Sequence, residues 1–166
     1  MQSACVIALL ALACACNKKA QPADDTQAAP VDHLVSLKPA EPKNLVHGVF
    51  PVNKYAQFSF VVPAHQAIPR LQGDYRSFTK RSDPDSSSDA TADVALMLLN
   101  EAEFNDFVQG HGGSTTYKLT PAHDQAVDWR VPNTYDQPEQ YHLVFSNSQG
   151  GAKTKFVKAD FTISFQ

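Results

Sequence analysis

An alternation of apolar and polar residues runs through most of this chain and limits the folds open to it. The C-terminal segment 157–165 is apolar at every second position, and the residues in between are polar. A period of two places successive side chains on opposite faces of a β-strand, so that one face is buried and the other is solvated. The same alternation occurs at three earlier places: Phe58, Phe60 and Val62; Val127, Trp129 and Val131; and Tyr141, Leu143 and Phe145.

The number and spacing of these segments predict the fold class. About eight strands, separated by turn-rich segments such as 82–89, 110–114 and 147–152, fit into residues 45–166. The segment 92–99 is apolar on both faces at its end, as a central strand or a buried helix would be, and we interpret it as a strand. Apart from one short segment near 101–109, no helical pattern lies between the strands, which argues against a parallel α/β enzyme fold. The sequence therefore predicts an all-β domain, an antiparallel β-sandwich.

One short helix is predicted near 101–109. Asn100 can cap it, and Glu103 three residues later completes the pattern of a capping box. Phe104, Phe107 and Val108 are spaced to share one helical face, and Gly110 is placed to end the helix.

The first residues predict export and lipid attachment. An apolar run at 6–13 is too short to cross a bilayer and fits the core of a secretory signal. It leads into Cys14 and Cys16, each preceded by small residues, and both sites resemble the bacterial lipobox. We expect 1–16 to be the signal peptide and lipobox, with Cys16 favoured over Cys14 for lipidation because polar sequence follows it directly. The absence of Lys and Arg from residues 1–4 departs from a usual signal peptide.

The segment that follows the lipobox is expected to be a tether. Residues 17–44 are rich in Ala, Pro, Gln, Asp and Lys and have little to bury, which is typical of a disordered linker. Acyl chains on the cysteine would hold the protein on a membrane in the cell envelope. Neither candidate cysteine is followed by the Asp that retains lipoproteins in an inner membrane, which favours the outer membrane where the host has one.

Composition excludes several other classes. The three cysteines all lie within residues 1–16, so the domain can have neither disulfides nor zinc sites built on thiolates. The 14 Lys and Arg residues are scattered among 17 Asp and Glu residues, without the basic stripe of a nucleic-acid binder. No cofactor is predicted.

Five segments together resemble the jelly-roll sandwiches related to the Golgi-dynamics (GOLD) domain: 71–75, 92–98, 103–110, 141–147 and 155–161. The resemblance covers residues 46–165 and implies a jelly-roll-like sandwich used for interaction, with no catalytic residues to transfer. The chain lacks the disulfide cysteines, coiled coil and membrane-spanning helix of the eukaryotic cargo receptors, so their trafficking role is not implied.

Two readings of an acidic loop remain open. Asp83, Asp85 and Asp89 place oxygen atoms at alternate positions, as a calcium loop does. The loop lacks the glycine at loop position six, and Val94 stands where the bidentate Glu would be. A solvated turn explains the same residues.

The histidines show no paired spacing of a metal site, and His142 is predicted on the solvent face of its strand.

The loop 133–140 (NTYDQPEQ) is the strongest candidate for ligand binding. Tyr135 stands among amide and carboxylate side chains, including those of Asn133 and Asp136, which suits a sugar or a peptide. Alternatively, Trp129 packs in the core and Tyr135 is an ordinary surface residue. We expect a non-catalytic module that binds a protein or an envelope glycan. A hydrolase with a site assembled from distant residues, and a structural subunit of an envelope complex, are the alternatives.

Overall fold

The computed structural model describes residues 39–80, 90–133, 135–147 and 153–165. Within these ranges it contains eight strands, one α-helix and one short 3-10 turn, as the sequence predicts for an all-β domain. The predicted signal peptide, the candidate cysteines and most of the tether lie outside the described residues. The elements are β1 (Lys43–Val52), β2 (Tyr55–Val62), β3 (Arg70–Phe78), the 3-10 turn (Ala90–Ala92), β4 (Ala95–Asn100), α1 (Glu101–Gln109), β5 (Tyr117–Lys118), β6 (Asp124–Arg130), β7 (Glu139–Ser146) and β8 (Lys155–Ser164).

The strands form two four-stranded sheets in which every pairing is antiparallel. Sheet I has the order β1-β8-β3-β6, and sheet II has the order β2-β7-β4-β5. Successive strands thus alternate mostly between the two sheets, which is the double Greek key of a jelly roll. The predicted antiparallel sandwich is confirmed. Strand β1 begins at Lys43, two residues before the predicted domain start.

The core lies between the inner faces of the two sheets, where the alternation predicts it. Phe161 and Leu143 are fully buried, on β8 and β7 respectively. Phe145 is central, with edge-on contacts to Tyr75 at 5.5 Å and to Phe161 at 5.9 Å between ring centroids. Opposite Phe161 stands Gly73 on β3, and a Cβ at Gly73 would collide with the ring of Phe161 and with the backbone oxygen of Asp160.

The connections between strands gather at two ends of the sandwich. At the proximal end, β1 begins, β8 ends, and three segments connect strands: 63–69, 101–116 and 131–138. The remaining connections lie at the distal end, because each antiparallel pairing reverses the chain direction. The predicted binding loop therefore shares the proximal end with the point where the chain enters the sandwich.

The helix begins with the predicted capping box and ends at Gly110. The backbone N–H of Glu103 donates to the Asn100 side chain at 2.9 Å, the Glu103 carboxylate accepts from the Asn100 N–H at 2.9 Å, and Gly110 is left-handed with φ 73°. Phe104 and Phe107 pack on the outer face of sheet II. Val108, spaced to share this helical face, is 51% exposed, because this short helix contacts the sheet mainly through its two phenylalanines.

His142 is buried, which corrects the prediction that it faces solvent. It does lie on the outer face of its strand, opposite the core residues Tyr141 and Leu143, but only 4% of it is exposed. The reason is α1, whose Phe104 stacks on the imidazole.

Trp129 lies half-buried on the inner face of sheet I and stacks on Tyr117 with centroids 5.2 Å apart. Among the described residues no helix has both the length and the apolar character needed to cross a bilayer.

Candidate functional site

The predicted binding loop is held at both of its ends. We call residues 131–139 the Tyr135 loop; it joins β6 to β7 at the proximal end. On the β6 side, the backbone N–H of Val131 donates to the carbonyl of Pro69 at 2.8 Å. On the β7 side, the hydroxyl of Tyr141 lies 3.1 Å from the carbonyl of Pro132 and 3.0 Å from a carboxylate oxygen of Glu139. A side chain of β7 and the adjacent connection 63–69 therefore fix the base of the Tyr135 loop.

The tip of the loop is open to solvent. Tyr135 is 77% exposed and makes no hydrogen bond or aromatic contact with any residue that the structure describes. Its side chain borders an open depression of about 420 Å³, together with Asp136, Gln137, Pro138 and Glu139. An aromatic ring thus stands free beside two carboxylates and an amide, which can supply both stacking and hydrogen bonds.

Asn133 has a different place from Tyr135 and Asp136. It does not line the depression, and its side-chain amide donates to the backbone carbonyl of Gln66 in the connection 63–69. In this position Asn133 ties two loops of the proximal end together. Tyr135 and Asp136 are brought together as predicted, whereas Asn133 supports the loop from its base.

Gln66 is the residue at this end that sequence reasoning missed. Only 7% of it is exposed, and its side-chain oxygen accepts a hydrogen bond of 3.1 Å from the N–H of Ala40. It therefore joins the chain before β1, the 63–69 connection and the Tyr135 loop. Its neighbour His65 has φ 63°, a left-handed conformation that a non-glycine residue adopts at a cost. An isolated Gln in a loop carries no sequence signal for such a role.

Burial and charge keep the tyrosine hydroxyl at the base of the loop protonated. Burial, followed by the hydrogen bond with the Glu139 carboxylate, raises the pKa of Tyr141 well above its ordinary value. The hydroxyl therefore stays neutral, and remains a hydrogen-bond donor in the loop, in alkaline solution above the ordinary tyrosine pKa of about 10. On the outer face of sheet I, Arg70 forms a two-fold hydrogen bond with Asp128 at 2.6 and 2.5 Å, and this bond lowers the pKa of the Asp128 carboxyl.

A serine, a histidine and a glutamate from three elements form a hydrogen-bonded chain. Ser59 Oγ lies 3.0 Å from His142 Nδ1, and Glu101 Oε2 lies 2.8 Å from His142 Nε2. Serine hydrolases join the same three kinds of group, but there the serine bonds Nε2 and the acid bonds Nδ1, whereas here the two nitrogens are exchanged. A hydrolase built from distant residues would require a hydrogen-bonded group of this kind. Here, however, the imidazole is 4% exposed beneath Phe104, and both of its nitrogens are occupied. The arrangement fastens α1 to sheet II.

The structure does not describe the residues of the other predicted sites. Asp83, Asp85 and Asp89 of the candidate calcium loop lie outside the described residues, as do Cys14 and Cys16. In the described ranges, no group of three His, Cys, Asp or Glu side chains could hold a metal ion.

Comparison with known proteins finds similarity among solved structures only. No family model matches this chain, and no curated protein sequence matches it. Among solved structures it is similar to the carbohydrate-binding module TmCBM61, solved in complex with β-1,4-galactotriose, at 10% identity over 71% of this chain and 69% of that chain, with a TM-score of 0.40. That protein is also a β-sandwich. The resemblance to the GOLD domain gains no support from these comparisons and stays a prediction.

Proposed function

We propose that this chain is a lipid-anchored protein of the bacterial cell envelope that binds a glycan, without catalysis, through the Tyr135 loop. One observation carries the proposal. Tyr135, which is 77% exposed, stands on a loop whose base is fastened by hydrogen bonds to β7 and to the connection 63–69. Loops held by a rigid scaffold are where binding residues concentrate.

The chemistry of the loop suits a sugar. The apolar face of a sugar ring stacks on an aromatic ring, while its hydroxyl groups need acceptors and donors beside that ring. Asp136, Gln137 and Glu139 border the same depression as Tyr135 and supply such groups. Because the base of the loop is already fixed, binding would lose little backbone entropy.

A protein partner is the alternative within the same class of function. A peptide could use the same ring and carboxylates, and binding assays with separated envelope fractions distinguish a protein ligand from a glycan.

A structural subunit, the other alternative, would need a broad apolar exposed surface. The large apolar side chains that are exposed in the described ranges are instead spread over β1, β2, α1 and two loops: Val49, Tyr55, Val61, Ile68, Val108 and Tyr135.

The test measures sedimentation of the full chain with purified peptidoglycan and with protein-free envelope polysaccharide. We expect Tyr135→Ala to lower the affinity at least several-fold, because the stacking surface is lost, and Tyr135→Phe to retain most of it. Thermal melting should be unchanged in both variants, since an exposed ring contributes little to the core.

A matched control is Val61→Ala, which removes another exposed apolar side chain from edge strand β2. Asp85→Ala in the acidic loop serves as the second control. Both should bind like the unmodified chain. Normal glycan binding by Tyr135→Ala would refute the proposal that the glycan binds through the Tyr135 loop. Capture of an envelope protein in place of any glycan would show that the ligand is a protein.

The anchor has a test of its own. Mass spectrometry of the mature N-terminus should find a diacylated or triacylated cysteine at position 16, or at position 14. Replacement of both residues by serine should release the protein from membranes. Continued membrane attachment of the double variant would contradict the anchor and leave the binding test unaffected.

A further inference from the structure

The outer face of sheet I carries charged side chains in two neighbouring rows. Asp74 on β3 is paired directly with Asp160 on β8, and Arg76 is paired with Lys158 two residues further along the same strands. Tyr75, between Asp74 and Arg76, is buried, so the charged side chains point away from the core. Like charges directly opposite each other on neighbouring strands are destabilising, so this arrangement calls for counter-charges.

Two of these charges find a partner in the sheet. His47 Nδ1 on β1 lies 2.9 Å from a carboxylate oxygen of Asp160. Arg76 lies 3.3 Å from a carboxylate oxygen of Asp124 on β6. Each pair joins an inner strand of sheet I to one of its edge strands, and together they flank the two rows.

The other two charges, those of Asp74 and Lys158, have no partner among the residues that the structure describes. Neither Asp74 nor Lys158 makes a hydrogen bond or an ion pair with any residue in the described part of the chain. Both border an open depression of about 380 Å³ on this face, which is in the size range of small-molecule sites. The four residues of the two rows all line this depression, together with their partners His47 and Asp124.

We propose that this depression binds a zwitterion, a small molecule with an ammonium group and a carboxylate at the two ends of a short chain. The ammonium group binds Asp74, and the carboxylate binds Lys158 with support from Arg76. Both contacts are charge-assisted hydrogen bonds, which are stronger than neutral ones. The ligand relieves both like-charge pairings at once, since it places a cation between the carboxylates and an anion between the two basic side chains.

The spacing of the rows sets the length of the ligand. Outward positions two residues apart on a strand are separated by about 6.6–6.8 Å. An α-amino acid carries both charges on one carbon and is too short for this distance. A carbon–carbon bond of about 1.5 Å advances an extended zigzag chain by only about 1.25 Å. Four methylene groups therefore place the ammonium nitrogen about 6.3 Å from the carboxylate carbon, which is close to the spacing of the rows.

Ligands with a single charge fit less well. A simple amine can bind the carboxylate of Asp74 but is repelled by Arg76 and Lys158. A simple carboxylate can bind the ammonium group of Lys158 but is repelled by Asp74 and Asp124. The described residues also offer no group of three ligands for a metal ion here. This site is separate from the Tyr135 loop, with which it shares no lining residue.

The test titrates 5-aminopentanoate into the full chain in detergent solution and follows binding by calorimetry. Pentylamine and pentanoate are the matched ligands with one charge, and glycine is the short zwitterion. We expect 5-aminopentanoate to bind at least tenfold more tightly than each of them, and more weakly in high salt because the site is exposed.

Variants of the two unpaired residues complete the test. Asp74→Asn and Lys158→Gln should each weaken binding of 5-aminopentanoate at least tenfold, with the thermal midpoint unchanged. Gln72→Ala, on the same strand and outside the depression, and Tyr135→Ala, in the other site, should bind normally. The proposal is overturned by unchanged affinity in Asp74→Asn, by equal affinity for pentylamine, or by no saturation below about 10 mM.

Discussion

Phe104 of α1 stacks on the imidazole of His142, with ring centroids 4.1 Å apart and ring planes inclined by 17°. The same imidazole is hydrogen-bonded to Ser59 on β2 and to Glu101 at the start of the helix. His142 thus connects two strands and the helix. Its burial follows from these contacts and gives the first prediction.

We expect His142→Ala to lower the free energy of unfolding by about 2–3 kcal/mol. The variant loses a buried side chain and leaves Ser59 without its hydrogen-bond partner. Urea denaturation monitored by the fluorescence of Trp129 measures the change. His111→Ala is the control, because the side chain of His111 is 64% exposed, and its effect should stay within about 0.5 kcal/mol.

Labelling of Ser59 and substitution of His142 test whether the protein is a hydrolase. If His142 has only a structural role, a fluorophosphonate probe should leave Ser59 unmodified, and Ser59→Ala should retain glycan binding. Covalent labelling at Ser59, abolished by His142→Ala, would show that the hydrogen-bonded chain is catalytic.

Gly73→Ala is predicted to destabilise the sandwich by about 1–3 kcal/mol. The added methyl group would collide with the ring of Phe161 and with the backbone of β8, which has to shift to admit it. A thermal melt measures the loss. Gly112→Ala is the matched control, since a Cβ there meets no atom within 4 Å, and equal melting temperatures for both variants would contradict the close approach at Gly73.

Truncation of the core should cost more than truncation of the surface. Phe161→Ala and Leu143→Ala should each lower the free energy of unfolding by about 2–5 kcal/mol, because both side chains are fully buried. Val49→Ala, which removes a side chain that is 40% exposed, should cost far less. Equal stability of Phe161→Ala and the unmodified chain in urea would mean that the register of β8 is shifted by one residue.

Local patterns predicted the strands and the helix well because their causes are local. The alternation in β8 and the capping box at Asn100 each depend on residues within a few positions of one another. The burial of His142 depends on a helix about forty residues earlier in the chain, and Val108 faces solvent because of how that helix meets the sheet. No pattern around either residue reports such contacts.

The candidate site was predictable only in part for the same reason. Tyr135 and Asp136 adjoin each other in the loop, so the sequence could place them together. The contact between Asn133 and Gln66 joins two loops, and the depression beside Asp74 joins four strands. These juxtapositions arise from the order of strands in sheet I, which alternation does not specify.

Stability should fall in alkaline solution as a consequence of buried tyrosines. Burial, followed by the charges of Asp93 and Asp124, raises the pKa of Tyr75, and the pKa of Tyr141 is raised as well. Below a pH of about 10, both the folded and the unfolded chain keep these protons. Above it, the unfolded chain releases them first, so the free energy of unfolding decreases as the pH rises.

Urea denaturation between pH 8 and pH 11 checks this dependence, in a range around the ordinary tyrosine pKa. Tyr75→Phe removes one of the protons involved, so its stability should decline less steeply with pH, although the variant loses the hydrogen bond of 3.0 Å to Gln125 and is less stable at neutral pH. Identical slopes for the variant and the unmodified chain would refute the role of Tyr75.

The position of β1 has a mechanical consequence. It is an edge strand, its only partner among the described strands is β8, and it begins at the proximal end, the same end of the sandwich as the Tyr135 loop. Tension between the chain before Ala40 and a ligand held at that end would first load the hydrogen bond from Ala40 to Gln66. It would then load the pair Lys43 and Ile163 and peel β1 away one pair at a time. Such unzipping yields at lower force than sliding two whole strands past each other, so a ligand held at the distal end would be retained against a stronger pull.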